Sequence, residues 1–367
     1  VTVGPEHRAA GPDGRAALPP VSPPARRPPA LPPAQPPPQG GPGPAGFLPS
    51  PVRSSHPSAL PGRPVGDSVY AVPGSCWAPV ELDRPVDRFE PKPPSGSSYR
   101  PDTVFDGWSG EHVRVRLASV RGYAHRGNGR PREDDIAVGL HGSGTLVFAV
   151  ADGVSGAEQS HLGATLACRT AVDTVTRQLD AGCRPDRLDW ATVLNHAAYQ
   201  LVAQTAKILG LSREDAAAAE RLMATTLVTG VAVPVSLGLD VHLVSAGDSG
   251  AWLLSAGGRF MSVIREPVGA GEPVASSAVV ALPRVPSDVR VHTVLVSGSD
   301  RLLIGTDGFG GPLGDGTGPV GRLFAEHLAP SLEPRGLAHL LDFSRETFDD
   351  DRTLLVVWPA SAVEALP

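Results

Sequence analysis

Apolar and polar positions over residues 113–358 change period several times, and the changes outline a layered fold. Residues 114–120 alternate as a half-buried strand does. A loop rich in Gly, Arg and Pro, GYAHRGNGRPRED, leads into a second strand over 136–140. His141-Gly142-Ser143-Gly144 reads as a hairpin turn, and 145–151 as the returning strand. Helical spacing then takes over at 157–179, with Leu162, Leu166, Ala167 and Val172 toward one side, and again at 188–209. Ser212 is placed to cap a short third helix, with Glu214 nearby. Strands return at 225–233, 240–245, 251–255, 291–296 and 302–305. Helices over 320–328 and 336–347 precede a closing strand at 353–358. Strands, long helices and further strands joined mostly by hairpins predict an α+β layered fold, and no internal repeat is evident.

Several of these strands carry a carboxylate at one end. Asp134 and Asp135 open DDIAVGL, Asp152 closes LVFAVADG, Asp307 closes RLLIGTDG, and Asp350 opens DDRTLLVVW. Buried strands that repeatedly end in aspartate gather carboxylates at one edge of a sheet. Carboxylates packed together repel one another, so a shared site calls for cations, and hard oxygen ligands favour Mg²⁺ or Mn²⁺ over zinc. Asp152 can bridge two cations, and Gly153 lets its own carbonyl approach one closely. Asp307-Gly308 repeats that arrangement, Asp350 supplies a third carboxylate, and Glu133 and Asp134 complete the ring. Two cations ~3.5–4 Å apart activate a shared water and neutralise a phosphoryl group under in-line attack, which points to a metal-dependent hydrolase. A single Asp-Gly is a common turn, so the weight lies in the set.

Composition divides the chain. The first hundred residues hold more than half of its 40 Pro. Such a segment buries too little apolar surface to offset its ordering entropy and favours extended polyproline conformations. Residues 1–105 are therefore expected to be a disordered Pro/Gly-rich arm, and 106–367 the catalytic domain. The arm's PPARRPPALPPAQPPP fits a Pro-rich ligand of aromatic-lined grooves, or a plain spacer. A net charge of −6 and the lack of a Lys/Arg block outside the arm argue against nucleic acid as a partner. Basic residues are almost all Arg, which suggests a GC-rich bacterial source, an actinomycete among them. Cys76, Cys168 and Cys183 lack metal-ligand spacing and imply no disulfide framework. No apolar run reaches the ~18 residues of a membrane span, and no signal-peptide core opens the chain, so the expected location is the cytoplasm.

Taken in order, REDD (132–135), VFAVADGVSGAEQS (147–160), ATTL (224–227), VSAGDSGAWLL (244–254), SGSDRLLIGTDGFGG (297–311) and DDRT (350–353) resemble the metal-dependent protein Ser/Thr phosphatases of the protein phosphatase 2C type. The resemblance implies an α-β-β-α sandwich of two antiparallel sheets flanked by helices, with a dinuclear Mn²⁺ or Mg²⁺ site at one edge. It implies that Asp152 bridges both metals, that the Gly153 carbonyl binds one, and that Asp307 and Asp350 hold the other. Glu133 and Asp134 match the family's acidic pair, acting directly or through water, and Asp248 matches a position near a third, weaker metal. Ser249 looks structural. The implied activity is hydrolysis of phosphoserine and phosphothreonine in proteins by a metal-bridging hydroxide, with Asp152, Asp307 and Asp350 at its centre. The implied partners are phosphoprotein substrates of a bacterial Ser/Thr kinase.

The chain departs from the family's pattern in places. GNGRP alters the spacing before the acidic pair, leaving Arg126, Arg130 and Arg132 all as candidates for gripping phosphate. Asp135 directly follows Asp134, which leaves the ligand register open by one residue. Val154 stands where many eukaryotic members carry a His suited to general-acid work, and His125 reads either as a packed loop residue or as a phosphate contact. Gly247-Asp248-Ser249-Gly250 also mimics the nucleophile segment of chymotrypsin-like proteases, but His196 falls within a predicted helix. A phosphatase-like scaffold that recruits partners through the Pro-rich arm is the other alternative. Loss of metal-binding Asp would mark it, and none is lost.

Overall fold

The computed structural model describes residues 78–87, 89–94, 100–264 and 280–360. In chain order the elements begin with β1 (Thr103–Ser109), β2 (Val113–Val120), α1 (Tyr123–Asn128), β3 (Asp135–Leu140) and β4 (Leu146–Ala151). Three helices follow, α2 (Ser160–Asp180), α3 (Trp190–Leu209) and α4 (Ala216–Met223). Next come β5 (Leu227–Val235), β6 (Gly238–Ala246), β7 (Gly250–Leu254), β8 (Phe260–Ser262), β9 (His292–Ser297) and β10 (Arg301–Gly305). The chain closes through α5 (Asp307–Leu313), α6 (Pro319–His327), α7 (Pro334–Leu341) and β11 (Arg352–Pro359).

The strands form two antiparallel sheets. One has six strands in the order β1-β2-β11-β10-β7-β8, and the other five in the order β3-β4-β5-β6-β9. Three cores lie between four layers. Phe148, Val150, Leu243, Ile304 and Leu355 fill the space between the sheets. Val147, Ala149, Ala167, Leu194 and Leu201 join the five-stranded sheet to α2 and α3. Leu303, Leu354, Phe309, Phe324 and Leu337 join the six-stranded sheet to α5, α6 and α7. The period of two in a strand explains this division: Val147 and Phe148, or Leu354 and Leu355, point to opposite faces and enter different cores. Both faces are covered, so β4, β10 and β11 read as continuous apolar runs. This is the α-β-β-α sandwich expected from the sequence.

Five elements differ from the sequence expectation. Strand β1, expected to fall in the arm, pairs with β2 through the full register Thr103↔Val120 to Ser109↔Arg114. The chain before it also belongs to the domain: the Leu82 N–H donates to the Ser344 carbonyl at 2.9 Å, and the Ser344 N–H to that of Val80 at 2.8 Å. The arm boundary at 105 is therefore too late, because backbone pairing fixes these segments despite their Pro content. Residues 1–77, including the Pro-rich ligand pattern, lie outside the described residues. Helices α1 and α5 were hidden by their glycines; α5 has the sequence DGFGGPL and is anchored by Phe309, whose ring meets Trp252 and Phe324 edge-on. Strand β8 is only three residues long. The cap of α4 is Asp215 rather than Ser212, its carboxylate accepting from the N–H groups of Ala217 and Ala218 at 2.9 and 3.0 Å.

Candidate metal centre

Register places one end of each key strand at a common edge. Asp135 pairs with Ala151, Leu227 with Ala246, Gly305 with both Gly250 and Leu354, and Arg352 with Val120. Asp134 precedes β3 and Asp152 follows β4 on one sheet, while Asp307 follows β10 and Asp350 precedes β11 on the other. Asp248 lies in the link from β6 to β7, where the chain crosses from one sheet to the other. The four expected ligands thus come from two sheets and meet at the open end of the sandwich.

Their electrostatics show how close they are. Burial pushes the Asp134 carboxyl well above its usual range, and the charges of Asp351 and Asp350 push it further. Asp152 is raised in the same way, by burial and then by Asp134 and Asp307, and its carboxyl lies within hydrogen-bonding reach of Asp307. Asp350 is raised by burial and by Asp351, and Asp248 by burial and by Asp307. Glu133 is buried and raised, chiefly by that burial. Asp134 is 1 % exposed; its Oδ2 accepts from the Thr306 hydroxyl at 2.8 Å, while Oδ1 has no partner. Glu133 Oε1 pairs with the Arg130 guanidinium at 2.7 Å, and its Oε2 also lacks a partner. Buried carboxylate oxygens left without a donor, among acids that hold one another's pKa up, suit a divalent cation with oxygen ligands.

The two Asp-Asp pairs divide their work. Asp135 turns to the scaffold, accepting from the Thr165 hydroxyl on α2, from Arg100 at 3.3 Å and from the Ile136 N–H at 2.9 Å. Arg100 also donates to the Asp134 carbonyl at 2.8 Å. Of the two neighbours, Asp134 is thus the one on the side of the carboxylate cluster. Asp350 is half-exposed toward the cluster, whereas Asp351 is 2 % exposed and turned inward. Asp351 Oδ1 accepts from the Gly122 N–H at 2.6 Å and lies 2.9 Å from His125 Nδ1, and Oδ2 accepts from the Glu133 N–H. One carboxylate thus joins β11, α1 and the loop before β3. The tightest group of potential ligand atoms among the described residues is His125, Asp350 and Asp351, all within 4.8 Å. His125 and Asp351 are already committed to each other there. Although burial alone would lower its pKa, Asp351 raises His125 to about 9. His125 is therefore a buried ion-pair partner, neither a plain packing residue nor a phosphate contact.

The segment ATTL holds the Asp152 backbone. The Asp152 N–H donates to the Thr226 hydroxyl at 3.0 Å, and its carbonyl accepts from the Thr226 N–H and the Thr225 hydroxyl, both at 2.8 Å. Gly153 is buried and bridges to Thr225. Ser249 is 2 % exposed, and its hydroxyl meets that of Thr226 at 2.7 Å rather than an imidazole. It has a structural role, and the protease-like nucleophile segment is a coincidence of composition.

The three candidate arginines separate clearly. Arg126 faces away from the cluster, with Nε and Nη2 on Asp102 at 3.0 and 2.7 Å and Nη1 on Asp342 at 2.7 Å. Arg132 is 3 % exposed, too deeply buried to reach a substrate. Arg130 is 37 % exposed beside Glu133 and also donates to the Ser155 carbonyl at 2.8 Å. Arg126 is thus neutralised by two carboxylates and Arg132 is enclosed, which leaves Arg130 as the exposed one of the three.

Among known proteins, the Protein phosphatase 2C family profile matches residues 121–343. No curated protein matches the chain. Solved structures similar to it include PppA of Pseudomonas aeruginosa, described as a regulatory component of a type VI secretion system (22% identity, TM-score 0.46, 70% of this chain and 100% of that one). Another is the serine/threonine phosphatase PstP/Ppp of Mycobacterium tuberculosis (18% identity, TM-score 0.45, 67% and 98%). A third is the PstP catalytic domain in complex with two manganese ions (18% identity, TM-score 0.46, 68% and 99%).

Proposed function

The chain belongs to the protein phosphatase 2C family, and from that premise we propose that it hydrolyses phosphoserine and phosphothreonine in proteins with the help of two divalent cations, Mn²⁺ or Mg²⁺. The observation that carries this reading is the meeting of Asp134, Asp152, Asp307 and Asp350 at one end of both sheets, with a buried oxygen of Asp134 left unpaired. Asp152, Asp307, Asp350 and the Gly153 carbonyl would hold the cations, with Asp134 and Glu133 beside them and Asp248 at a third position. Bound there, divalent cations neutralise phosphoryl oxygens and acidify water, as slow phosphate-ester hydrolysis requires.

The chain's own groups supply position and access. Thr225 and Thr226 fix the Asp152 backbone, and Asp351 fixes Asp350 relative to Glu133. Asp307 and half-exposed Asp350 leave the cluster open on one side, as a phosphorylated side chain on a protein requires. Arg130, on the rim, is placed to orient the substrate phosphate through its remaining N–H groups. No observation favours a binding-only scaffold, because every expected ligand position keeps its carboxylate. Among the described residues, no helix is long and apolar enough to cross a membrane. The natural substrates on this reading are phosphoproteins made by a Ser/Thr kinase.

The test is release of phosphate from a phosphothreonine peptide and from p-nitrophenyl phosphate by the full chain, first in EDTA and then with added Mn²⁺. Mn²⁺-dependent turnover of both, lost in Asp307→Asn, is the expected result. A folded protein inactive with every divalent cation would overturn the proposal.

A further inference from the structure

Tyr123 and Arg126 of α1 line a concavity of about 430 Å³. Most of its other lining residues come from the segment before β1. Its apolar surface comes from Val86, the exposed ring of Phe89 and the ring of Tyr123, the two aromatics meeting edge-on with centroids 6.3 Å apart. Its charged lining is Glu81, Asp87, Asp102 and Arg126. Arg126 does not make this an anion site, because all of its charge is met by Asp102 and Asp342, and its guanidinium already lies 5.2 Å from the Tyr123 ring centroid. Asp87 has no hydrogen-bond or ion-pair partner among the described residues.

We propose that this cavity binds a small organic monocation with an aromatic or apolar body. The rings of Phe89 and Tyr123 and the side chain of Val86 would bury the body, and Asp87 would receive the ammonium or guanidinium head at the rim. Three considerations agree. The lining carries three carboxylates against one guanidinium, so its field selects cations over anions. Aromatic ring faces attract cations, and Phe89 presents an exposed ring. The volume lies within the roughly 300–1,000 Å³ of cavities that enclose small molecules, which favours a free ligand over a run of peptide. Binding can be measured without turnover, so the proposal stands or falls independently of the phosphatase reading.

The probe is phenethylammonium, titrated calorimetrically into the full chain, with 2-phenylethanol as its neutral counterpart and phenylacetate as its anionic one. The expected order is the amine first, the alcohol weaker by ~10-fold and the acid undetectable, since ~1.4 kcal/mol of charge attraction is a factor of ten. Asp87→Asn should bring the amine down to the affinity of the alcohol, and Phe89→Ala should weaken both. Asp87 and Phe89 are exposed, so neither variant threatens the fold. Failure of the amine to bind at millimolar concentration would overturn the proposal. So would equal binding of amine and acid, or wild-type affinity in both variants.

Discussion

The substitution Asp351→Asn removes one charge from the buried junction beneath the cluster while keeping the side chain's shape. The native carboxylate meets two backbone donors and one cation: Gly122 N–H at 2.6 Å on one oxygen, which also lies 2.9 Å from His125 Nδ1, and Glu133 N–H on the other. An amide has one acceptor oxygen, so either orientation turns its NH₂ toward at least one of these donors. His125 is 5 % exposed and loses its counter-charge as well. Breaking a buried pair from one side costs roughly 3–5 kcal/mol. The His125 shift gives a compatible figure: from 6.5 to about 9, at ~1.36 kcal/mol per unit, is about 3 kcal/mol. The folded pKa of His125 lies above the unfolded one. Its contribution is therefore complete below ~6.5 and is lost as pH rises through about 9. Urea unfolding in EDTA from pH 6 to 10 measures this. The stability gap between wild type and Asp351→Asn should be about 3 kcal/mol or more at pH 6 and should narrow by about 3 kcal/mol by about pH 10, leaving only the pH-independent loss at the backbone donors, because contributions common to both proteins cancel in the difference. A gap that stays constant across that range would refute the ion pair.

Three further outcomes follow from the site. Asp134 and Asp152 have carboxyl pKa values raised well above the usual range, so the folded metal-free protein retains protons that the unfolded chain sheds above ~4. Its stability should fall as pH rises through those values, Mn²⁺ should reverse the loss, and calorimetry in two buffers of different ionisation enthalpy should show net proton release on Mn²⁺ binding. Gly122→Ala would drive a methyl group into the backbone of Asp349 and Asp350, displacing the start of β11. Mn²⁺ affinity should drop by ~10-fold or more, the range in which lost support for a metal ligand is felt, and unchanged Mn²⁺ binding in calorimetry would count against it. Thr226→Val leaves the Asp152 N–H and the Ser249 hydroxyl without their partner. It should cost roughly 1–3 kcal/mol in urea unfolding, where a loss near zero would show that water replaces the hydroxyl.

The strand ends were legible because burial on both faces writes β4, β10 and β11 as continuous apolar runs, so that the aspartate closing or opening each run stands out. The proposed ligand positions Asp152, Asp307 and Asp350 could be read from that alone. The partner of each neighbouring aspartate could not. In both Asp-Asp pairs the outer residue, Asp134 or Asp350, faces the cluster, and the strand-proximal one, Asp135 or Asp351, faces the scaffold. Successive side chains of an extended segment point opposite ways, so each pair was bound to divide. Only the scaffold donors, Thr165 and Arg100 for one pair and Gly122, His125 and the Glu133 N–H for the other, show which member goes where. Those donors lie up to 229 residues away in sequence.

The arginines divide for a related reason. Proximity in sequence to the acidic pair makes Arg126, Arg130 and Arg132 alike as candidates, yet α1 turns Arg126 toward Asp102, a residue that the expected arm over 1–105 leaves out of the fold. Once Ala78–Pro94 and β1 are counted as part of the domain, Arg126 acquires two carboxylate partners and ceases to be available for a phosphate. The same segment lines the cavity together with α1, a six-residue helix read from sequence as a loop, so α1 contributes to both sites. Its His125 pairs with Asp351 beneath the carboxylate cluster, while its Tyr123 and Arg126 line the cavity proposed to bind an organic cation.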